Sequence, residues 1–330
     1  MLIFIPVRNG GAYLAKAINS LVAQSDPDWR LVVLENASTD DTVATVASYG
    51  DSRIEIVPAA TPLGIVENWQ RVAAYIRDRN VNGDMLVTIV GADDYLLPHF
   101  VESIGSLARL DPAATLYQTA FDLVDGEDRL IRPCRPIPAT ESWTDLGAAL
   151  CWNIRDSFGT GYAFRARDYL EVGGMPDLPL LLSSDHLLFV RLARLGHKRA
   201  DARAGCAYRF HTGSTSGGMS RAKINAHVEG LAGYVDALLG MGLDTTEQGR
   251  NALAALLGRE LWTLQLPVVG RVLTLANRQR RVGLETLFAK VSRGIPLMTW
   301  ADPEGGGFAR LTSRARRMAR SLSLYRQTRR

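Results

Sequence analysis

The chain has 330 residues, of which 47% are hydrophobic and 22% are charged, as in an ordinary globular protein with one large domain or two smaller ones. Its three cysteines, Cys134, Cys151 and Cys206, show no CxxC spacing and no even pairing. This excludes a disulfide framework and a zinc cluster, and it predicts a reducing compartment.

The net charge of +4 is unevenly distributed along the chain. Residues 1–219 hold 20 Lys and Arg against 26 Asp and Glu, a net charge of −6, whereas residues 220–330 hold 18 against 8, a net charge of +10. The final 21 residues contain eight arginines and no acidic residue. Two regions with different partners are therefore predicted, 1–219 and 220–330.

The N-terminal stretch MLIFIPVRNGG lacks a basic segment before its apolar run, which predicts a first strand rather than a signal peptide. Hydrophobic patterning predicts strands at 2–7, 30–35, 53–57 and 84–90, and helices at about 12–23, 39–48 and 64–79. Strands that alternate with helices at these lengths indicate βαβ units and a parallel sheet. Either Ser38 or Thr39 is expected to cap the second helix.

From about 111 to 215 the pattern loosens into mixed strands and helices, and beyond about 220 it predicts helices to the end. The segment SSDHLLFVRLARLG (183–196) has helical character. No apolar run approaches 18 residues, so no membrane span is predicted. No GxxxxGK[ST] or GxGxxG motif is present, which argues against a P-loop or a dinucleotide-binding fold.

Polar residues stand where three predicted strands end, namely Arg8, Glu35 and Asp93. In open sheets of this kind ligands bind beyond the carboxyl ends of the strands. Asp93 is followed at once by Asp94 in the stretch TIVGADDYLLPHF. Two adjacent carboxylates repel each other unless one keeps its proton or a cation lies between them. Two interpretations stay open: solvated carboxylates at a strand-to-helix turn, or a site for Mg²⁺ or Mn²⁺.

Seven stretches in order carry a resemblance to a known family: IPVRNGGAYLAKAINSLVAQ, LVVLENASTDDT, TPLGIVENWQRVAA, GADDYLLPHF, FGTGYAFRARDYLEVGGMPD, SSDHLLFVRLARLG and YRFHTGSTS. Together they resemble the family-2 glycosyltransferases, which are inverting, nucleotide-sugar-dependent enzymes of the GT-A fold. The resemblance covers roughly residues 1–215. It implies an α/β fold with a single Rossmann-type mixed sheet flanked by helices, here with a helical C-terminal extension. Residues 1–110 would form the nucleotide-binding half and 111–219 the acceptor half.

The resemblance implies a role for residues in four of these stretches. It implies a nucleotide-sugar site formed by Pro6, Val7, Arg8, Asn9, Glu35, Ser38, Gly64, Asn68 and Asp93. Glu35 stands where the family usually has an aspartate that binds the base, typically uracil, so a UDP-sugar is the favoured donor. Asp93 and Asp94 match the DxD region, with Gly91 in place of the family's earlier aspartate. They are expected to hold the divalent cation with His211, and which of the two binds it is left open.

Asp185 lies where the family places its catalytic base, with Ser184 in place of the preceding glutamate. Inversion requires a carboxylate that takes the proton from the acceptor hydroxyl, opposite the leaving group. The alternative is that Asp185 simply caps the helix that begins at SSDHLL. Weaker candidates for contact with the acceptor or sugar are Trp152, Gly159, Thr160, Gly161 and Ser184.

The basic tail, residues 308–330, has apolar residues at spacings of 3 and 4, namely Phe308, Leu311, Ala315, Met318, Leu322 and Tyr325. This pattern predicts one helix with an apolar stripe. The helix could dock on the body with its basic face in solvent, or lie in the plane of an anionic membrane surface. Nucleic acid ranks third, because no nucleic-acid-binding motif accompanies the charge.

The sequence thus predicts a metal-dependent inverting hexosyltransferase of polysaccharide biosynthesis. It would move a sugar from a nucleotide-diphosphate sugar to a hydroxyl of a saccharide or lipid-linked saccharide. The predicted location is the cytoplasm. A peripheral position at the inner face of the cell membrane is a second possibility, which depends on the basic tail. Two alternatives stay open, a nucleotidyltransferase on a similar fold and a non-catalytic nucleotide-sugar-binding scaffold protein.

Overall fold

The structure, a computed structural model, describes residues 1–211 and 221–263. The chain divides into two compact units, Met1–Leu243 and Asp244–Arg330, and of the second unit residues 244–263 are described. The sequence-based boundary after residue 219 stays a prediction. The basic tail, 308–330, lies outside the described residues.

The first unit contains strands and helices in alternation over its first half. The strands are β1 (Leu2–Val7), β2 (Arg30–Glu35), β3 (Ile54–Pro58), β4 (Leu86–Ile89), β5 (Tyr95–Leu96), β6 (Leu116–Val124), β7 (Leu130–Pro133), β8 (Thr140–Glu141), β9 (Tyr162–Arg165) and β10 (Lys198–Arg209). The helices are α1 (Gly11–Val22), α2 (Thr42–Ala47), α3 (Ile65–Asp78), α4 (Phe100–Leu110), α5 (Trp143–Trp152), α6 (Ala166–Glu171), α7 (Ser184–Leu195) and α8 (Arg221–Gly240).

Single 3₁₀ turns lie at Pro179–Leu181 and Leu243–Thr245. In the second unit the described residues form helix α9 (Glu247–Thr263). None of the helices within residues 1–211 and 221–263 has both the length and the apolar composition needed to cross a bilayer.

The strands form one mixed sheet in the order β3-β2-β1-β4-β9-β6-β10-β5, with β7 paired to β6 and β8 paired to β10. β3, β2, β1 and β4 run parallel, and β9 is antiparallel to both β4 and β6. The chain leaves β1 for β2 on one side and reaches β4 on the other side. This reversal of strand order opens a crevice at the carboxyl ends of β1 and β4, the place where ligands bind in such sheets.

The central strands are apolar because helices cover both of their faces. All six residues of β1 are buried, and in helix α1 the buried residues Leu14, Ala17, Ile18 and Leu21 recur at helical spacing. The mixed α/β architecture predicted from the sequence is confirmed. The first four predicted strands and three predicted helices are confirmed as well: the bounds of β1 and β2 are as predicted, and those of the other five elements differ by up to three residues.

The predicted N-cap of the second helix is wrong. Helix α2 begins at Thr42 and its N-cap is Asp41, so neither Ser38 nor Thr39 caps it. Instead, Ser38 Oγ accepts a hydrogen bond from the Asn9 N–H at 3.0 Å. The hydroxyl of Ser38 thus connects the loop after β2 to the loop after β1 instead of capping helix α2.

One fully buried ion pair joins β8 to β10. Lys198 Nζ lies 2.6 Å from Glu141 Oε2 and donates a hydrogen bond to Gln118 Oε1 at 3.0 Å. Burial lowers the pKa of Lys198, and the charge of Glu141 opposes this effect. The two buried groups therefore stabilise each other, and Arg155 Nη2 lies 3.3 Å from Glu141 Oε1 as a second, more exposed cation.

Replacing Lys198 with methionine is expected to lower the free energy of unfolding by about 3–5 kcal/mol, since it leaves the Glu141 carboxylate buried without its main partner. Urea denaturation measures this loss. The double variant Lys198→Met/Glu141→Met is the control and should recover most of the stability, because it removes both buried charges. A single variant within 1 kcal/mol of the parent would show that the pair contributes little.

Candidate active site

Two neighbouring cavities lie at the crevice between β1 and β4. The first, here called the β1 cavity, has a volume of about 440 Å³ and is lined at the end of β1 by Pro6, Val7, Arg8 and Asn9. The second, the Asp185 cavity, has a volume of about 180 Å³ and is lined by Asp93, Asp94, Thr160 and Asp185 among others. Both are lined by Ile65, Trp69, Gly91 and Asp93. A ligand that spans the two cavities would therefore pass over Gly91 and Asp93.

The loop after β1 is fixed by the loop after β2. The Gly10 N–H donates to Thr42 Oγ1 at 2.8 Å, and the Gly11 N–H donates to Asp40 Oδ2 at 3.0 Å. Asn9 Oδ1 in turn accepts from the Thr39 N–H at 2.8 Å. The N–H groups of Gly10 and Gly11 are thus occupied by protein acceptors and are not free to hold a phosphate.

Asp94 is held inside the protein by hydrogen bonds to both of its oxygens. Thr160 Oγ1 donates to Asp94 Oδ2 at 2.5 Å, and the Arg209 N–H donates to Asp94 Oδ1 at 2.9 Å. Burial, reinforced by the charge of Asp93, raises the pKa of Asp94 to about 8. The protonated form of Asp94 is thereby favoured more than in an ordinary carboxyl, and this lessens the repulsion between the two adjacent acids.

Asp93 is the more accessible of the two acids. Its side chain is 37% exposed, and its Oδ2 lies 2.8 Å from His211 Nε2. Asp94, by contrast, is only 3% exposed. Asp93 and His211 both line the β1 cavity, so a carboxylate and an imidazole face the same space.

Gly91 allows the two acids to adopt this arrangement. A Cβ at this position would lie 2.8 Å from Asp93 Oδ1 and 2.9 Å from Asp94 Oδ2, closer than real Cβ contacts. The absence of a side chain at residue 91 is therefore required by the positions that its two neighbours take. The Gly91 N–H donates to Thr160 Oγ1 at 3.1 Å, which completes the connection between these loops.

Arg209 supports the acidic loop from within the protein. Its side chain is 1% exposed, and Nε donates to the Asp93 carbonyl oxygen at 2.7 Å. The guanidinium also lies 2.5 Å from Asp128 Oδ1 and 4.4 Å from the centre of the Tyr13 ring. A buried cation thus fixes the backbone of Asp93 to the end of β10, two residues before His211.

Replacing Arg209 with methionine is expected to lower the free energy of unfolding by about 2–4 kcal/mol, because the Asp93 carbonyl loses its donor and Asp128 keeps only Lys16 as a cationic partner. Thermal and urea denaturation measure this effect. Arg129→Met is the matched control, since the Arg129 side chain is 71% exposed and its loss should change stability by about 0.5 kcal/mol or less. Equal stability of the two variants would contradict a supporting role for Arg209.

Asp185 lies in the first turn of α7, where its side chain reaches the smaller cavity. The N-cap of this helix is Ser183, so Asp185 is not the capping residue. Its Oδ1 accepts a hydrogen bond from the His186 N–H at 2.8 Å. The half-exposed carboxylate is thus available to a ligand in the same cavity as Asp93.

The structure brings together most, but not all, of the residues predicted for the site. Those that line a cavity are Pro6, Val7, Arg8, Asn9, Asn68, Asp93, Asp94, Gly159, Thr160, Asp185 and His211. Those that line neither cavity are Glu35, Ser38, Gly64, Trp152, Gly161 and Ser184.

The physical reasons for these exceptions differ. Glu35 is 3% exposed and its Oε1 accepts the Ser38 N–H at 2.5 Å, so it shapes the loop rather than facing a base. Gly64 is the N-cap of α3, and its N–H donates to Glu67 Oε2 at 2.6 Å. Trp152 ends helix α5, away from both cavities. Ser184 is fully buried.

Gly161 is a structural glycine rather than a ligand contact. Its φ of +95° is unfavourable for a residue with a side chain. A Cβ there would lie 2.8 Å from Cys206 Sγ.

Several residues of the site were not anticipated from the sequence. Trp69 lines both cavities, and Leu180, Leu181 and Leu182 line the Asp185 cavity. Arg209 was passed over, although it lies two residues before His211 in YRFH. The signal that could have revealed it was a charged residue directly after the short run GCAY at the end of β10.

Comparison with known proteins assigns the chain to a family. The model of glycosyl transferase family 2 matches residues 2–172. The chain belongs to glycosyl transferase family 2. The matched segment contains both acidic residues of the GADD loop and all of the β1 cavity except His211.

Curated relatives of this family-2 chain are themselves uncharacterized glycosyltransferases. One from Rickettsia conorii (strain Malish 7) is 26% identical over 216 residues, which are 64% of this chain and 34% of the relative. One from Mycoplasma pneumoniae (strain M129) is 26% identical over 106 residues, which are 32% of this chain and 34% of the relative. The chain thus spans about a third of the length of these relatives.

Solved structures share the fold at low sequence identity. S. aureus TarS residues 1–349, in complex with UDP-GlcNAc, matches with a TM-score of 0.62 and 15% identity over 89% of this chain and 81% of TarS. The mannosyltransferase PcManGT from Pyrobaculum calidifontis, in complex with GDP-Man and Mn²⁺, matches with a TM-score of 0.51 and 14% identity over 89% of this chain and 85% of PcManGT. These likenesses confirm the GT-A fold of the family-2 chain.

Proposed function

We propose that this family-2 protein is a metal-dependent inverting glycosyltransferase. It would transfer a sugar from a nucleotide-diphosphate sugar to a hydroxyl of a saccharide or lipid-linked saccharide. The observation that carries the proposal is the placement of Asp185 and Asp93 in one cavity, next to a larger cavity at the switch point of the sheet. The larger cavity would hold the nucleotide and the donor sugar, and an acceptor hydroxyl would approach the anomeric carbon from the smaller cavity.

The β1 cavity suits a nucleotide in size and lining. Its volume of about 440 Å³ falls within the range of small-molecule sites. Exposed Arg8 supplies a positive charge that attracts a diphosphate. Asn36 and Asn68 form the wall on the side of β2 and α3, where their amides are hydrogen-bonded within the protein. The UDP-sugar bound to TarS and the GDP-sugar bound to PcManGT support a nucleotide sugar as donor. A UDP-sugar remains the favoured donor, although Glu35 does not face the cavity.

The side chains fit a divalent cation held jointly with a substrate. Within residues 1–211 and 221–263 no group of three or more His, Cys, Asp or Glu side chains is arranged to hold a metal ion alone. Asp93 and His211 offer one carboxylate and one imidazole, and Mg²⁺ or Mn²⁺ typically takes its remaining ligands from phosphate and water. The imidazole favours Mn²⁺ over Mg²⁺. Asp94 would hold this pair in place rather than bind the cation itself.

When bound, the cation would neutralise the charge that develops on the leaving diphosphate. Asp185 would take the proton from the acceptor hydroxyl as its oxygen forms a bond to the anomeric carbon. The bond between that carbon and the diphosphate oxygen breaks in the same step, and the nucleoside diphosphate leaves with the electron pair. A single displacement of this kind inverts the configuration.

The nucleotidyltransferase alternative is less well supported. It requires free N–H donors in the loop after the first strand, and the N–H groups of Gly10 and Gly11 already donate to Thr42 and Asp40. It also leaves Asp185 without a role. The scaffold alternative predicts nucleotide binding without turnover, so an activity measurement separates it from the proposed function.

The test is a panel of UDP-, GDP-, CDP- and dTDP-sugars with and without Mn²⁺. One donor should raise the melting temperature of the full chain in the presence of Mn²⁺ and should be consumed slowly by hydrolysis. Stabilisation without consumption by any donor, with or without saccharide acceptors, would favour the scaffold. No stabilisation and no consumption with any donor would overturn the proposed function.

A membrane association remains a separate prediction. It depends on the basic tail, 308–330, which lies outside the described residues. Binding of the full chain to vesicles with and without anionic lipid tests it directly.

A further inference from the structure

A run of leucines precedes the proposed catalytic base. Leu180, Leu181 and Leu182 are half-exposed, and all three line the Asp185 cavity. Asp185 follows only three residues later, so whatever approaches its carboxylate also meets these side chains. Residues 178–182 are called the leucine strap below.

The backbone of the strap is unusual for such residues. Leu180, Leu181 and Ser183 have φ values of 56°, 59° and 66°, in the left-handed region that residues with bulky side chains rarely adopt. Conformations of this kind persist where the surroundings impose them, and they concentrate at ligand sites. The strap therefore holds its leucines towards the cavity at an energetic cost that an ordinary loop would avoid.

Two glycines of helix α8 form the seat of the strap. A Cβ at Gly230 would lie 3.0 Å from the Leu182 carbonyl oxygen, and a Cβ at Gly233 would lie 2.8 Å from Leu178 Cδ2. These glycines are three residues apart and therefore lie on the same side of the helix. The strap can lie this close to α8 because Gly230 and Gly233 have no side chains in the way.

The remaining walls of the cavity extend the apolar surface. Trp69, Met175 and Phe158 line it together with the strap, and the Phe158 ring stacks on the Tyr208 ring at 3.8 Å. The polar side chains of the lining are the carboxylates Asp93, Asp94 and Asp185, the hydroxyl of Thr160, which already donates to Asp94, and the phenol of Tyr208, whose ring packs on Phe158. Among the described residues, the polar lining is therefore concentrated at the reacting end.

We infer that the acceptor of this proposed glycosyltransferase is a 6-deoxyhexose, whose methyl group rests on the leucine strap while a ring hydroxyl reaches Asp185. The inference rests on the proposed function. A hydroxymethyl group in that place would lose its water without gaining a partner from the leucines, whereas a methyl group is favoured there. The cavity volume of about 180 Å³ suits one sugar ring rather than a long alkyl chain.

The experiment compares acceptors that differ at a single oxygen atom. The full chain receives the donor and Mn²⁺ identified by the panel, together with methyl L-fucoside against methyl L-galactoside and methyl L-rhamnoside against methyl L-mannoside, each pair with the same anomeric configuration. Within at least one pair, kcat/KM for the 6-deoxy member is expected to be about 10- to 100-fold higher. Replacing Leu181 with asparagine should reduce that preference to about threefold or less, because the amide can hydrogen-bond a hydroxyl.

Leu110→Asn is the matched control, since Leu110 is 77% exposed on α4 and lies outside both cavities. It should keep the full preference. Thermal stabilisation by the nucleoside diphosphate with Mn²⁺ is measured for each variant, to show that it is folded.

Each outcome decides the inference. Equal rates within both pairs, a preference for the hydroxylated members, or donor hydrolysis without transfer to any member would overturn the 6-deoxyhexose acceptor and leave the proposed function standing. An unchanged preference in Leu181→Asn would also overturn it, because the strap would not be its source. Failure of every nucleotide sugar to bind or react would instead overturn the proposed function, and the inference with it.

Discussion

Replacement of Asp185 by asparagine is expected to reduce transfer by about 10²- to 10⁴-fold, the usual contribution of a positioned general base. Asparagine has nearly the same shape but cannot accept a proton. Donor binding should persist, because the β1 cavity and Asp93 are unchanged. The rate is measured as release of nucleoside diphosphate in the presence of acceptor, and binding as the thermal shift with donor and Mn²⁺.

The same variant separates catalysis from helix stabilisation. Ser183 is the N-cap of α7, and Asp185 only contributes a negative charge to its first turn. Loss of that charge should change the free energy of unfolding by about 1 kcal/mol or less. Asp78→Asn, an exposed acid at the end of α3, is the control and should leave the rate unaltered. Asp185→Asn with parental transfer rates would remove this residue from the mechanism.

Replacement of Asp93 by alanine is expected to lower transfer by about 10³-fold or more, because the stabilisation that a metal ion gives to a leaving diphosphate amounts to several kcal/mol. The variant should also lose affinity for Mn²⁺ in the presence of nucleoside diphosphate. Electron paramagnetic resonance of free Mn²⁺ measures that affinity without any turnover. Asp177→Ala, an exposed acid outside the lining of both cavities, serves as the control.

Asp94→Asn distinguishes the two adjacent acids. Both Asp94 oxygens are in hydrogen bonds inside the protein, so its replacement should affect the order of the loop more than the cation. We expect Mn²⁺ affinity to fall much less in Asp94→Asn than in Asp93→Ala. The reverse order would show that Asp94 is the ligand and that Asp93 has only a supporting role.

The sequence by itself determined the architecture of the first 110 residues. The apolar runs of β1 and β2 and the helical spacing in α1 are local patterns, and burial of the sheet on both faces requires them. The same patterns placed Pro6–Asn9 and Asp93 at strand ends, where parallel strands must bring them together. The ordered motifs then predicted the family correctly.

Only the tertiary structure decided which side chains face the ligand. Glu35 and Ser184 match motif positions but are buried, and this depends on packing that no local pattern records. Arg209 joins Asp93 across 116 positions of sequence, and His211 joins it across 118. In the sequence the leucine strap looks like an ordinary apolar segment. Its proposed role depends on the left-handed backbone of Leu180 and Leu181 and on the space that Gly230 and Gly233 of α8 leave for it. Contacts between segments that are distant in sequence fix the positions of these side chains, so no local sequence pattern could predict them.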